Sequence, residues 1–81
     1  MSKTAKIYEK LMAGRSDGKF SFDDLRCLLE SLCYDTRQRG SHLIAQKGMS
    51  FQNLQEKKGK AKPYRVAQVR DDLKKFNFKP E

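Results

Sequence analysis

The apolar positions of the chain form three stripes at helical spacing, interrupted by a stretch of different texture. Ile7, Tyr8, Leu11 and Met12 share one face and predict a helix over 4–13, with Thr4 as its N-cap and Gly14 as its stop. The second stripe, Leu25, Leu28, Leu29 and Leu32, predicts a helix over 21–33. It follows Ser21-Phe22-Asp23-Asp24, which has capping-box spacing with Asp24 in place of the usual Glu. Phe20 before the cap and Leu25 after it stand where a hydrophobic staple forms. The third stripe, Val66, Val69, Leu73 and Phe76, starts behind Pro63, whose missing N–H costs nothing in a first turn. It predicts a final helix that ends near Asn77.

Between the second and third stripes, Gly40 and Gly48 bracket three runs of strand length, 34–39, 42–46 and 50–55. The glycines sit where tight hairpin turns fall, so the expectation is a three-stranded antiparallel meander. Its alternation is too irregular to fix the register. The order α-α-β-β-β-α then describes one α+β domain over 1–81, with helices covering one face of the sheet. Within it, 20–78 has the α-β-β-β-α layout of a double-stranded-RNA-binding-like fold, and 1–19 is an N-terminal helical extension.

Charge narrows the function. Among 81 residues, 18 are Lys or Arg and 10 are Asp or Glu, a net charge of +8. In so small a domain that balance points to a polyanion: nucleic acid first, then an anionic membrane or an acidic protein. No apolar run approaches the ~18 residues of a membrane helix, and "MSKTAKIYEKLMAG" lacks the apolar core of a signal peptide. A cytoplasmic protein without membrane association is expected. Cys27 and Cys33 lie six apart on one helix, about 9 Å of rise, so they are expected as buried reduced thiols rather than a disulfide. With one histidine and no C-x-x-C, neither a metal site nor any other cofactor is expected.

Two places carry candidate chemistry. Residues 56–65 hold Lys57, Lys58, Lys60, Lys62 and Arg65 and lead into a helix N-terminus. Cations, free backbone N–H groups and the positive end of a helix dipole together suit phosphate; the plainer alternative is a solvated loop. The second place is His42, the chain's lone imidazole, at a turn among Arg37, Arg39 and Ser41. RNA cleavage needs a base for the 2′-hydroxyl, cations for the charged phosphorane and an acid for the leaving 5′-oxygen. One histidine supplies one of those proton transfers; on spacing alone, a partly exposed hairpin residue without a role is the plainer alternative. The carboxylate pairs do not read as acid–base sites: Asp23-Asp24 fits helix capping and Asp71-Asp72 a solvated helix face.

The segments "FDDLRCLLESLCYDTRQRGSHLI" (22–44) and "NLQEKKGKAKPYRVAQVRDDLKKF" (53–76) resemble the HicA-type toxins of bacterial toxin–antitoxin systems. The first resembles that family's Leu-rich helix running into a strand that ends Arg-x-Arg-Gly-Ser-His. The second resembles its Gly-x-x-Lys-Pro-x-x-Val-x-x-Val-Arg helix. The resemblance covers about 20–78 and implies a metal-independent mRNA interferase on a double-stranded-RNA-binding-like fold, inhibited by a HicB-type antitoxin. The family's catalytic histidine falls on His42. Leu43 and Ile44 stand where many members carry a second histidine or an aromatic, and the helix over 4–13 lies outside the match. Other readings are a non-catalytic RNA- or DNA-binding module of the same shape, and an interaction domain whose positive face docks an acidic antitoxin.

Overall fold

A computed structural model describes residues 3–80. Its elements are α1 (Lys3–Ala13), a single 3₁₀ turn (Asp17–Lys19), α2 (Phe22–Ser31), β1 (Asp35–Arg39), β2 (His42–Lys47), β3 (Ser50–Lys57), β4 (Lys60–Ala61) and α3 (Pro63–Lys75). The fold is mixed α+β, with helices at both ends of the chain and one antiparallel sheet in the order β1-β2-β3-β4.

The sheet has four strands, not the three expected. Lys58 and Gly59 both adopt positive φ, +55° and +79°, the requirement of a type I′ turn, and fold Lys60–Ala61 back onto Glu56–Lys57. A two-residue strand carries no readable period, so the sequence of 56–65 reads only as a basic segment leading into the last helix. Its edge is met by the segment before α2: Ala61 N–H donates to the Phe20 carbonyl and Phe22 N–H to that of Gly59.

Helix α2 begins as its spacing predicts, with the Asp24 N–H donating to Ser21 Oγ at 3.2 Å. Both Phe20 and Leu25 are buried. Helices α2 and α3 end alike, in Schellman motifs. Tyr34 N–H reaches the Leu29 carbonyl and Cys33 N–H that of Glu30; Phe78 and Asn77 repeat the pattern on Leu73 and Lys74. Cys33 and Asn77 supply the left-handed residue, at φ +68° and +56°. Tyr34 and Phe78, the residues that follow, meet edge to face at 6.0 Å, so the two helix ends are joined through their caps.

The core lies between the helices and one face of the sheet. Leu25, Leu28, Leu29 and Leu32 meet Leu43, Ala45 and Leu54 from the strands and Val66, Val69 and Leu73 from α3. Ile7 and Leu11 of α1 belong to the same core, with Tyr8 and Met12 against its margin. Arg70 ties α1 to α3: it forms a two-pronged ion pair with Asp17 at 2.8 and 3.0 Å and donates to the Leu11 carbonyl.

Three local expectations are corrected. Thr4 lies inside α1, which starts at Lys3, and any cap before Lys3 lies outside the described residues. Cys33 is exposed at its cap position, while Cys27 is half-buried. Asp72 does not face bulk solvent alone: it accepts hydrogen bonds from Ser50 Oγ at 3.0 Å and Gln52 Nε2 at 2.6 Å. Ser50 and Gln52 are themselves buried. Because the single Ser50 proton goes to the carboxylate, the Tyr34 hydroxyl donates to Ser50.

That network explains the irregular alternation of β3. Ser50 and Gln52 point inward because Asp72 and Tyr34 satisfy them, and Phe51 between them therefore points outward. A buried polar group is tolerable only when it is hydrogen-bonded, and here the partners come from α3 and from the end of α2.

Candidate nucleic-acid interface

The helices cover one face of the sheet and leave the other open. Register defines the rows of that open face. Asp35, Gln46 and Phe51 form one row, Arg37, Ile44 and Asn53 the next, and Arg39, His42 and Gln55 a third. Residues two apart on a strand share a face, which puts Lys57 and its partner Lys60 beyond the third row.

His42 and Arg39 flank the two-residue turn Gly40-Ser41 and face each other across the strand pair. Directly opposed side chains have Cβ atoms about 4.5–5.5 Å apart. Gly40 has φ +58°, and a side chain there would be strained, so the turn that sets this pairing depends on glycine. Asp35, Arg37, Arg39, His42, Ile44 and Gln46 line a shallow concavity of ≈ 530 Å³. Among the described residues, no hydrogen bond or ion pair engages the side chains of Arg37, Arg39 or His42. Asp35, the one carboxylate in the concavity, lies four residues of strand from the His42 row. At about 3.4 Å per residue it is too distant to orient the imidazole.

The structure brings Arg37, Arg39, His42, Lys57 and Lys60 to one face and spreads the other expected site residues around it. Ser41 is exposed at the β1–β2 turn, and Lys58 is exposed in the β3–β4 turn. Lys62 is the N-cap of α3 and makes no side-chain capping bond. Lys57, Lys58, Lys60 and Lys62 surround a smaller hollow of ≈ 220 Å³ with Gly18 and Pro63. Arg65 is committed elsewhere, donating to Gln68 and lying 4.9 Å over the Tyr64 ring. It stands apart from the open face.

Sequence reasoning missed Ile44, Phe51, Asn53 and Gln55, the apolar and amide groups of the same face. The inverted alternation at 50–52 was the available signal, because an aromatic between two inward polar residues has to point out. Among the described residues, no three His, Cys, Asp or Glu side chains cluster so as to hold a metal ion, and no helix is long and apolar enough to cross a membrane. No protein-family model, curated protein or solved structure matches the chain.

Proposed function

We propose that the chain is a HicA-type toxin, a metal-independent endoribonuclease that cleaves mRNA in the cytoplasm. In this reading α2, β1, β2, β3 and α3 are a double-stranded-RNA-binding-like core, to which α1 and β4 are additions. The observation that carries the proposal is the pairing of the lone imidazole, His42, with Arg39 across the strand pair and Arg37 beside it, on an open face with no internal partners. The two guanidinium groups suit the non-bridging phosphate oxygens, which they meet as planar forks. His42 takes the 2′-hydroxyl proton or returns one to the 5′-oxygen. The other transfer falls to water or to a lysine at the same end of the sheet. Lys57, Lys58, Lys60 and Lys62 hold the flanking phosphates. A HicB-type antitoxin with an acidic surface would inhibit by covering the same charges.

The test uses purified chain, free of any partner, on a labelled RNA in EDTA. Cleavage should leave a 2′,3′-cyclic phosphate and fall by about 10²–10⁴-fold in His42→Ala, with RNA affinity far less affected. Undiminished cleavage in the variant, or a requirement for added Mg²⁺, would remove His42 from the chemistry. A second reading, a non-catalytic RNA- or DNA-binding module, is favoured by one observation: no hydrogen bond among the described residues holds the His42 ring in place. It expects binding without cleavage in wild type and variant alike.

A further inference from the structure

Phe51 differs from the other phenylalanines. Phe20 and Phe22 are buried, Phe76 and Phe78 stack on each other, and Lys47 and Lys75 lie over Phe78 and Phe76. The Phe51 ring is 55% exposed and, among the described residues, has no ring or cation partner. Its outward direction is enforced. Slipping β3 by one residue would bury Phe51, but it would also pull Ser50 and Gln52 off Asp72. Ile44, 40% exposed, is its diagonal neighbour on the same face, so the aromatic continues as an apolar strip toward the Arg39–His42 row.

We infer that this face takes an extended single strand of RNA, with one unpaired base stacked on Phe51 and the backbone crossing Ile44 to reach the cations. The inference rests on reading the open face as an RNA surface. Charge complementarity selects the occupant: Arg37, Arg39, His42, Lys57 and Lys60 hold phosphates at one end, while Asp35, in the Phe51 row, and Asp71 and Asp72, which line a hollow with Phe51, leave that ring to a neutral base face and not to a phosphate. An acidic protein would satisfy the charges but would leave a bare ring at one end of the face unexplained; a base, which has a π-face whatever its identity, uses it. A duplex is a poor fit. Its bases are already stacked, and double-stranded RNA is read through its grooves. The turns 40–41 and 48–49 are only two residues long and give the face nothing to reach into a groove.

Register also sets the spacing. Four strand residues separate the Phe51 row from the His42 row, about 13–14 Å. At ~3.4 Å per stacked nucleotide, and more when the strand is drawn out, that gap holds roughly two to four nucleotides. The stacked base is therefore near the reacting phosphate but not adjacent to it, and Phe51 is a positioning residue rather than a catalytic one.

The experiment uses a labelled 12-nucleotide RNA carrying 2′-O-methyl groups, which lacks the hydroxyl nucleophile, as a single strand and as a duplex. Phe51→Ala should weaken single-strand binding by roughly 5- to 100-fold while leaving the salt dependence unchanged, because stacking releases no counterions. Phe51→Trp should bind at least as well as wild type. Since the chain has no tryptophan, the indole becomes a sole reporter whose emission the stacked base quenches. Equal binding of duplex and single strand overturns the single-strand assignment, and wild-type affinity in Phe51→Ala with an unquenched indole overturns the stacking. In both cases RNA still binds, and the reading of the face as an RNA surface survives. If wild type binds neither probe, that reading falls as well. Quenching of the indole by polyglutamate as strong as by RNA would assign the face to an acidic protein.

Discussion

Cys33 occupies the left-handed position that ends α2, at φ +68°. Glycine is usual there because a side chain crowds the following carbonyl, at about 1–2 kcal/mol for an L-residue. Cys33 is exposed, so its thiol gains little in return. Cys33→Gly should stabilise the protein by roughly 0.5–1 kcal/mol after glycine's greater chain entropy is subtracted. Cys33→Ala, which keeps the strained conformation, should leave the melting temperature nearly unchanged; equal gains in both variants would implicate the thiol instead. Tyr34, the next residue, has the opposite character. Burial pushes its phenol above the ordinary value near 10, and the Asp72 carboxylate pushes the same way. Below pH 10 the phenol is neutral in both folded and unfolded chains and its contribution is complete. Above pH 10 the unfolded phenol loses its proton first, so stability falls as pH rises. Tyr34→Phe should be less stable at neutral pH by about 1 kcal/mol and show a flatter decline above pH 10 in denaturant titrations. Parallel declines would place the alkaline loss elsewhere.

Among the elements, α2 has the clearest local instructions. Ser21 caps it, Phe20 and Leu25 close its first turn, and four leucines bury its inner face. Ser21→Ala should cost about 1 kcal/mol and lower the melting temperature by about 4–8 °C for a domain of this size. Ser21 also sits opposite Lys60 in a bridge to β4, so amide exchange should rise at Phe22 and Ala61 as well as in the first turn of α2. Rise confined to the helix would mean that cap and bridge are independent. At its other end the helix is held by Lys47, which donates to the Leu32 carbonyl at 2.6 Å and lies 4.3 Å over the Phe78 ring. Strand β1 pairs with β2 alone, and its free edge reads Asp-Thr-Arg-Gln-Arg, a charged edge that discourages pairing with another chain.

For the molecule as a whole, the net charge of +8 is unevenly used. Arg70 is bound to Asp17, Arg26 to Gln38 and Glu30, and Lys47 to the end of α2. Arg37, Arg39, Lys57, Lys58, Lys60 and Lys62 gather at the end of the open face and around the β3–β4 turn, whereas Lys3, Lys6, Arg15, Lys19, Lys74 and Lys79 are spread over α1, the segment after it and the C-terminal part of the chain. If Lys57, Lys58, Lys60 and Lys62 contact phosphates rather than bases, replacing any one by Gln should weaken binding alike across RNA sequences. The slope of log affinity against log salt should fall by about one unit or less. A lysine whose loss changes the preferred sequence instead would be reading a base edge. Arg65→Gln provides the contrast: its guanidinium is held by Gln68 and Tyr64, so its effect on the slope should be smaller.

Three helices with their inward faces and two of the tight turns were legible in the sequence, because glycine turns, the Ser21 cap and 3.6-residue spacing act over a few neighbouring residues. The sequence also placed His42 beside Arg37 and Arg39, since a two-residue turn joins the strands that carry them. What joins distant segments was not legible. The Asp17–Arg70 pair spans 53 positions and the Gln52–Asp72 bond 20, and no local pattern announces either. The fourth strand was hidden for a related reason: two residues have no period, and only their pairing with β3 and the segment before α2 makes them a strand. The outward Phe51 was decided in the same way. Its direction follows from where Asp72 stands on α3, and only the packing of that helix on the sheet brings the carboxylate to β3.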